Sequence, residues 1–231
     1  GSPWSLFFDV GHVGPDYQPG HAHADTLTVD CSYRGSRLFV DPGCFHYDHD
    51  DRRLYDRSTA SHNTICVDET NSSEVWHIFR VGRRARPIEV QVEIRDESLA
   101  ATASHDGYDH LPGRPRHTRS LFLQEHGPLV IQDRVTGQRP HKVSGGLLLA
   151  PNWTATQLDD GWYLKSRDQK LRVTVRNPER LKLGLQTRHV HPDYGRRLET
   201  RRLAWSYEGP LPFNIELQIG EAQGEFTLES S

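Results

Sequence analysis

Along much of the chain, apolar residues recur at every second position. Ile88, Val90, Val92 and Ile94 alternate with polar residues, as do Leu171, Val173 and Val175, and Phe213, Ile215, Leu217 and Ile219. Successive side chains of a strand point to opposite faces, so this period predicts strands with one wet face. Further strands are predicted at 26–33, 37–41, 63–67, 75–80, 97–103, 119–124, 129–135, 144–149, 161–165, 183–190 and 201–207. Turn-forming clusters such as Arg34-Gly35-Ser36, Asp41-Pro42-Gly43, Pro112-Gly113 and Asp159-Asp160-Gly161 separate them. No stretch sustains a helical period. About a dozen short strands at close spacing predict an all-β fold, a large antiparallel β-sandwich with sheets packed face to face.

The chain has 231 residues, 35% of them hydrophobic, enough to fill a sizeable core. It shows no repeat, linker or composition break, so residues 3–231 are expected to form one domain. Gly1-Ser2, in a chain without methionine, reads as the scar of a removed tag, and the chain as a piece of a longer protein. With 28 basic and 31 acidic side chains the net charge is −3, which argues against a nucleic-acid partner. No apolar run reaches the roughly 20 residues that cross a bilayer. A small-molecule or carbohydrate partner, or none, remains. Cys31, Cys44 and Cys66 are too few for a disulfide scaffold and form no C-x-x-C zinc pattern; one pair leaves one thiol over.

Fourteen histidines, with His12, His21, His23, His46 and His49 crowded among aspartates near the start, suggest metal binding or proton transfer. If Gly20-His21-Ala22-His23-Ala24-Asp25 enters a strand, the two imidazoles share a face about 7 Å apart. That spacing suits two ligands on one ion, one ligand beside a free base, or two histidines that bond their neighbours. Asp41, before Pro42-Gly43, is either a turn cap or a ligand, and His62 either a satisfied strand-end histidine or a ligand. In a hairpin turning at Gly35-Ser36, Asp41 lies opposite Asp30, and seven strand residues at roughly 3.3 Å each separate it from His23. Local geometry therefore does not join them; a bend or another strand pairing must.

The segments 11–27 (GHVGPDYQPGHAHADTL), 38–43 (LFVDPG), 57–68 (RSTASHNTICVD), 73–76 (SEVW), 79–87 (FRVGRRARP) and 105–108 (HDGY) resemble the C-terminal region of the heparinase II/III-like polysaccharide lyases, a group that includes oligoalginate lyases. The likeness is dense from residue 4 to about residue 120. It implies that His23, Asp41 and His62 bind a structural zinc or similar divalent ion, that His21 faces the substrate in catalysis, and that Asp25 supports His23. Tyr47 and Tyr55 both fall where some oligoalginate lyases carry an active-site acid. The implied reaction is β-elimination on an anionic, uronic-acid polysaccharide in a bacterial, periplasmic or secreted protein. In the resembled enzymes an N-terminal α/α toroid supplies much of the catalytic set, and the strands predicted here leave no room for one. The chain by itself is then expected to be inactive.

Other residues carry two readings. Arg57 either meets an anionic sugar or fixes the loop that presents His62. Arg80, Arg83, Arg84 and Arg86 read as a solvated edge. His105, Asp106 and Tyr108 read as structural hydrogen bonding, and His117, His189 and His191 as surface histidines. Of Trp4, Trp76, Trp153, Trp162 and Trp205, most belong in the core. Two other function classes stay open: a non-catalytic carbohydrate-binding module, and a zinc hydrolase in which His23, Asp41 and His62 leave a position for water.

Overall fold

A computed structural model describes residues 2–222; Gly1 of the expected scar and residues 223–231 of the expected domain lie outside the described residues. In chain order the strands are β1 (Trp4–Phe8), β2 (Val29–Tyr33), β3 (Ser36–Phe39), β4 (Ile65–Val67), β5 (Val75–Trp76), β6 (Arg80–Val81), β7 (Pro87–Arg95), β8 (Ser98–His105), β9 (Arg116–Gln124), β10 (Leu129–Thr136) and β11 (Pro140–Leu148). They continue with β12 (Thr154–Leu158), β13 (Gly161–Lys165), β14 (Lys170–Arg176), β15 (Lys182–Asp193), β16 (Arg196–Pro210) and β17 (Phe213–Glu221). A single α-helix among the described residues, α1 (Asp51–Asp56), is too short to leave a periodic signature. Its start is marked by the Asp50 side chain, which accepts the Arg53 N–H.

The all-β expectation holds. One layer is an eight-stranded antiparallel sheet in the order β12-β13-β14-β17-β10-β9-β8-β7. The other combines β15-β16-β11-β4 with β1-β2-β3, joined where Val40 donates to the Leu148 carbonyl and Ala150 to that of Leu38. Alternation explains the core. Leu121, Ile131, Leu217 and Val175 are paired across four neighbouring strands, and Leu129, Ile219, Val173 and Trp162 form the next inward row. From the facing layer Ile65, Val143, Leu147, Leu203 and Trp205 pack into the same cluster. Trp205 needs Gly145 opposite it, since a Cβ there would meet the indole at 2.7 Å.

Three expectations change. The cleanest alternation in the sequence, Ile88 to Ile94, is the edge strand β7, and Val92 and Ile94 are 61% and 75% exposed because the covering layer does not extend over that edge. The segment 75–80 is not one strand but the paired ends of β5 and β6. All three cysteines are free thiols. Trp4, Trp153, Trp162 and Trp205 are buried and Trp76 is exposed. His117 and His191, expected at the surface, are buried.

Candidate functional site

The GHAHAD segment does not enter a strand. It begins in the 3-10 turn Pro19–His21 and runs as a loop to β2, with Leu27 at φ 64 making the bend that the hairpin geometry required. Asp41 is not a ladder partner of Asp30, because the hairpin turns at Arg34-Gly35, with Tyr33 opposite Ser36, and β3 ends at Phe39. The Asp30 carboxylate instead accepts the Asp41 N–H at 3.1 Å, and Asp41 accepts the Gly43 N–H at 2.8 Å. His62 follows the 3-10 turn Thr59–Ser61. These three loops meet.

Buried arginines hold them there through backbone carbonyls. Arg57 donates to the Ala22 carbonyl at 3.1 and 3.2 Å and also to those of Trp76, His77, Ile78 and Arg80. The sugar-binding reading of Arg57 therefore fails in this structure: its side chain is fully buried and its donors are spent on loops. Arg202 donates to the carbonyls of Ser61 and His62 at 3.1 and 2.7 Å. Arg119 reaches the carbonyls of Leu27 (2.8 Å) and Asn63 while held bidentately by Asp133, which also accepts from His117. Asn63 ties Val29, Val40 and Leu148 together. Sequence reasoning missed Arg119, Arg202 and Asn63 in these roles; only the position of Asn63 beside His62 hinted at it.

At the junction, His62 gives one nitrogen, Nδ1, to the Asp41 carboxylate at 2.8 Å. Its other nitrogen, Nε2, is buried without a partner. Candidate ligand atoms of His23, Asp25 and His62 lie within 4.8 Å of one another, and the His23 and His62 ring centroids are 5.2 Å apart. The structure thus brings Asp25, expected as a support, into the cluster with the two imidazoles, while Asp41, expected as a ligand, bonds His62 at its other nitrogen. Burial pushes the His23 imidazole down to about 3, with the His62 charge adding to it, so His23 is neutral, and its Nε2 accepts from the Arg53 guanidinium at 3.3 Å. Burial works against ionising Asp41, but the His62 charge and hydrogen bond outweigh it and hold the carboxyl at about 2. The same Asp41 charge lifts His62 against its own desolvation.

An orphaned buried imidazole nitrogen, a neutral second imidazole and two carboxylates are a donor set that fits a divalent cation with nitrogen and oxygen preference, such as zinc. Asp9, His12, His21, His23, Asp25 and Asp41 line a hollow of about 270 Å³ over this cluster.

His21 is exposed at the edge of this hollow and packs against an aromatic rim. Tyr47 lies edge-on to it with centroids 5.2 Å apart, Phe79 at 5.6 Å, and Tyr194 extends the rim beyond Tyr47 at 5.9 Å. The Arg53 guanidinium sits 5.0 Å over the Tyr47 ring and 3.3 Å from His23 Nε2, so one α1 side chain touches both halves of the site. Tyr55, the other candidate, lies elsewhere, beneath Arg188 on a different hollow. Arg83 and Arg84 are not a solvated edge: Arg83 bonds the carbonyls of Ser72 and Gly107, and Arg84 those of Val13 and Gly14. Tyr108 donates to the Ile65 carbonyl and Asp106 accepts from Arg86, as structural bonding requires.

A family model described as heparinase II/III-like, C-terminal, matches residues 1–225. Among solved structures, the heparan sulfate lyase HepC from Pedobacter heparinus, in a mutant form, is similar with a TM-score of 0.75 at 19% identity, over 95% of this chain and 34% of that one. The unmutated HepC from the same organism gives 0.74 at 18% identity, over 95% and 33%. A structure described as heparinase III gives 0.75 at 14% identity, over 96% and 34%. The chain spans about a third of the length of these structures. No curated protein matches by sequence.

Proposed function

The chain belongs to the heparinase II/III-like, C-terminal family, and from that premise we propose that it forms the sandwich wall of a polysaccharide lyase that cleaves uronic-acid chains by β-elimination. The observation that carries the reading is the split of the GHAHAD segment: His23 turns inward to His62 and the carboxylates, while His21, two residues earlier, stands exposed against Tyr47 and Phe79.

A zinc or similar ion would be held by His23 and His62, with carboxylates from Asp41 and Asp25. There it supplies a fixed positive charge that binds the loops together, a structural part. His21 and Tyr47 are the groups left for the substrate. Elimination removes the proton α to a carboxylate and expels the glycosidic oxygen at the β carbon, so it needs a base, an acid for the leaving oxygen, and neutralisation of the carboxylate. An imidazole beside a phenol can move those protons. Phe79 and Tyr194 offer flat faces on which a sugar ring packs and which keep water off it. The carboxylate-neutralising group and the facing wall come from the α/α toroid of the longer protein, so this chain alone is expected to be inactive. A heparan-type or alginate-type chain outside the bacterial cytoplasm is the substrate class, which places the protein in the periplasm or beyond the cell.

The test is product chemistry. The full-length protein, given uronate polymers, should release chains ending in an unsaturated uronate that absorbs in the near ultraviolet, and His21→Ala should abolish it. Release of saturated ends instead would identify a hydrolase and overturn the proposal.

A further inference from the structure

The second candidate tyrosine leads to a different part of the molecule. Tyr55 lines a hollow of about 430 Å³ on the outward face of the β15-β16-β11-β4 sheet, which shares no lining residue with the hollow at His21. That volume is in the range of sites that seat a small ligand. The floor consists of small side chains, Gly184, Ala204, Ser144 and Ser206, and a Cβ at Gly184 would meet nothing within 4 Å. The walls are cationic.

Lys142, Lys182, Arg188 and Arg202 all line the hollow, and Glu69 is the sole carboxylate lining it among the described residues. Glu69 is already paired with Lys142. Arg202 spends donors on the carbonyls of Ser61 and His62, which are uncharged. Its side chain crosses close over Gly146, where any Cβ would collide with it. Burial lowers the Arg202 pKa to about 10, with Tyr55 opposing the shift and the Arg188 charge adding to it. Arg188 lies 5.8 Å from the Tyr55 ring centroid, and its Nε is buried without a partner. Three cations without a carboxylate partner around a small-residue floor, beside the Tyr55 ring, describe a receptor for a flat-faced anion.

We propose that this hollow is a second, non-catalytic binding site for an acidic sugar residue, its sulfate or carboxylate met by Lys182 and Arg188 and its ring packed on Tyr55. The identity of the ligand rests on the reading of the protein as part of an acidic-polysaccharide lyase; the charge and shape of the hollow do not. Such a site would grip a polymer on a face separate from the His21 rim.

The experiment uses this chain, labelled with nitrogen-15, and three probes: an unsulfated uronate oligosaccharide, a sulfated heparan-type oligosaccharide, and inorganic sulfate. At least one oligosaccharide should shift the amides of Gly184, Ala204 and Ser206. Lys182→Glu with Arg188→Gln should weaken that binding tenfold or more, and His21→Ala should leave it unchanged. Amide dispersion shows whether the double variant is folded; if it is not, Lys182→Glu alone, at an exposed position, decides. Shifts confined to Ala22, Tyr47 and Phe79, with affinity unchanged in the charge variants, overturn the second site and leave the lyase reading intact. Shifts from sulfate alone overturn the sugar assignment. Binding of none of the three overturns the inference, and the product assay on the full-length protein then judges the lyase reading separately.

Discussion

Replacing Arg119 with leucine removes the guanidinium that joins the eight-stranded sheet to two of the site loops. Arg119 and Asp133 are both fully buried and share two hydrogen bonds of 2.8 Å, while Arg119 also bonds the carbonyls of Leu27 and Asn63. Leucine leaves Asp133 with His117 as its remaining partner. Breaking a buried ion pair from one side costs about 3–5 kcal/mol, because the surviving charge stays desolvated. For a chain of this length each kcal/mol moves Tm by roughly 2–4 °C, so Arg119→Leu should melt about 10 °C lower. The pH dependence has a sign. Burial raises the Asp133 pKa, but Arg119 and His117 outweigh it and hold the carboxyl well below its ordinary value. A depressed folded pKa gives stability that is present in full above about pH 4, the unfolded value, and is lost as pH falls toward the folded one. The unfolded state is common to both proteins, so the gap between wild type and Arg119→Leu in urea melts should narrow as pH falls through the Asp133 value of the variant, which burial raises once Arg119 is gone, and keep narrowing toward the wild-type value. A loss under about 1 kcal/mol at pH 7, or a gap that widens in acid, would refute this account of the cluster.

Asn63→Leu strands the carbonyls of Val29 and Val40 and the Leu148 N–H; urea denaturation should show a loss of about 3 kcal/mol or more. Gly43 lies at φ 74, where a Cβ would collide with the His191 carbonyl; Gly43→Ala should cost about 1–3 kcal/mol by thermal melt and loosen the turn that carries Asp41. In the full-length protein, Tyr47→Phe should lower kcat by about a hundredfold or more, whereas Tyr55→Phe, which keeps the ring, should leave kcat within about twofold. Loading with zinc should raise Tm of the wild type, chelation should reverse it, and His62→Ala should be unmoved by either in a calorimetric scan, since binding to the folded state alone raises stability.

The β-sandwich was legible because its central strands are buried on one face, and Leu171 to Val175 and Phe213 to Ile219 alternate for that reason. The same pattern misled at β7. Its alternation is real, but an edge strand past the covering layer leaves Val92 and Ile94 in solvent, and periodicity carries no information about what lies opposite. In β9 the reverse happens. His117 and Arg119 occupy inward rows with Leu121 and Leu123, so half the strand hides its buried face behind polar letters. The meeting of His23, Asp41 and His62 depends on a left-handed Leu27, the end of β3 at Phe39 and arginines that reach carbonyls far along the chain. None of these follows from spacing. Resemblance to a family supplied those residues; the structure supplies the reason they meet, and separates Tyr47 from Tyr55.

The division of labour within GHAHAD is tested most directly by metal analysis of the purified chain after loading with zinc and removal of excess. Wild type and His21→Ala should each retain one equivalent, and His23→Ala and His62→Ala, folded by their melting transitions, should retain none. Zinc kept by His62→Ala, or absent from the wild type, would contradict the account.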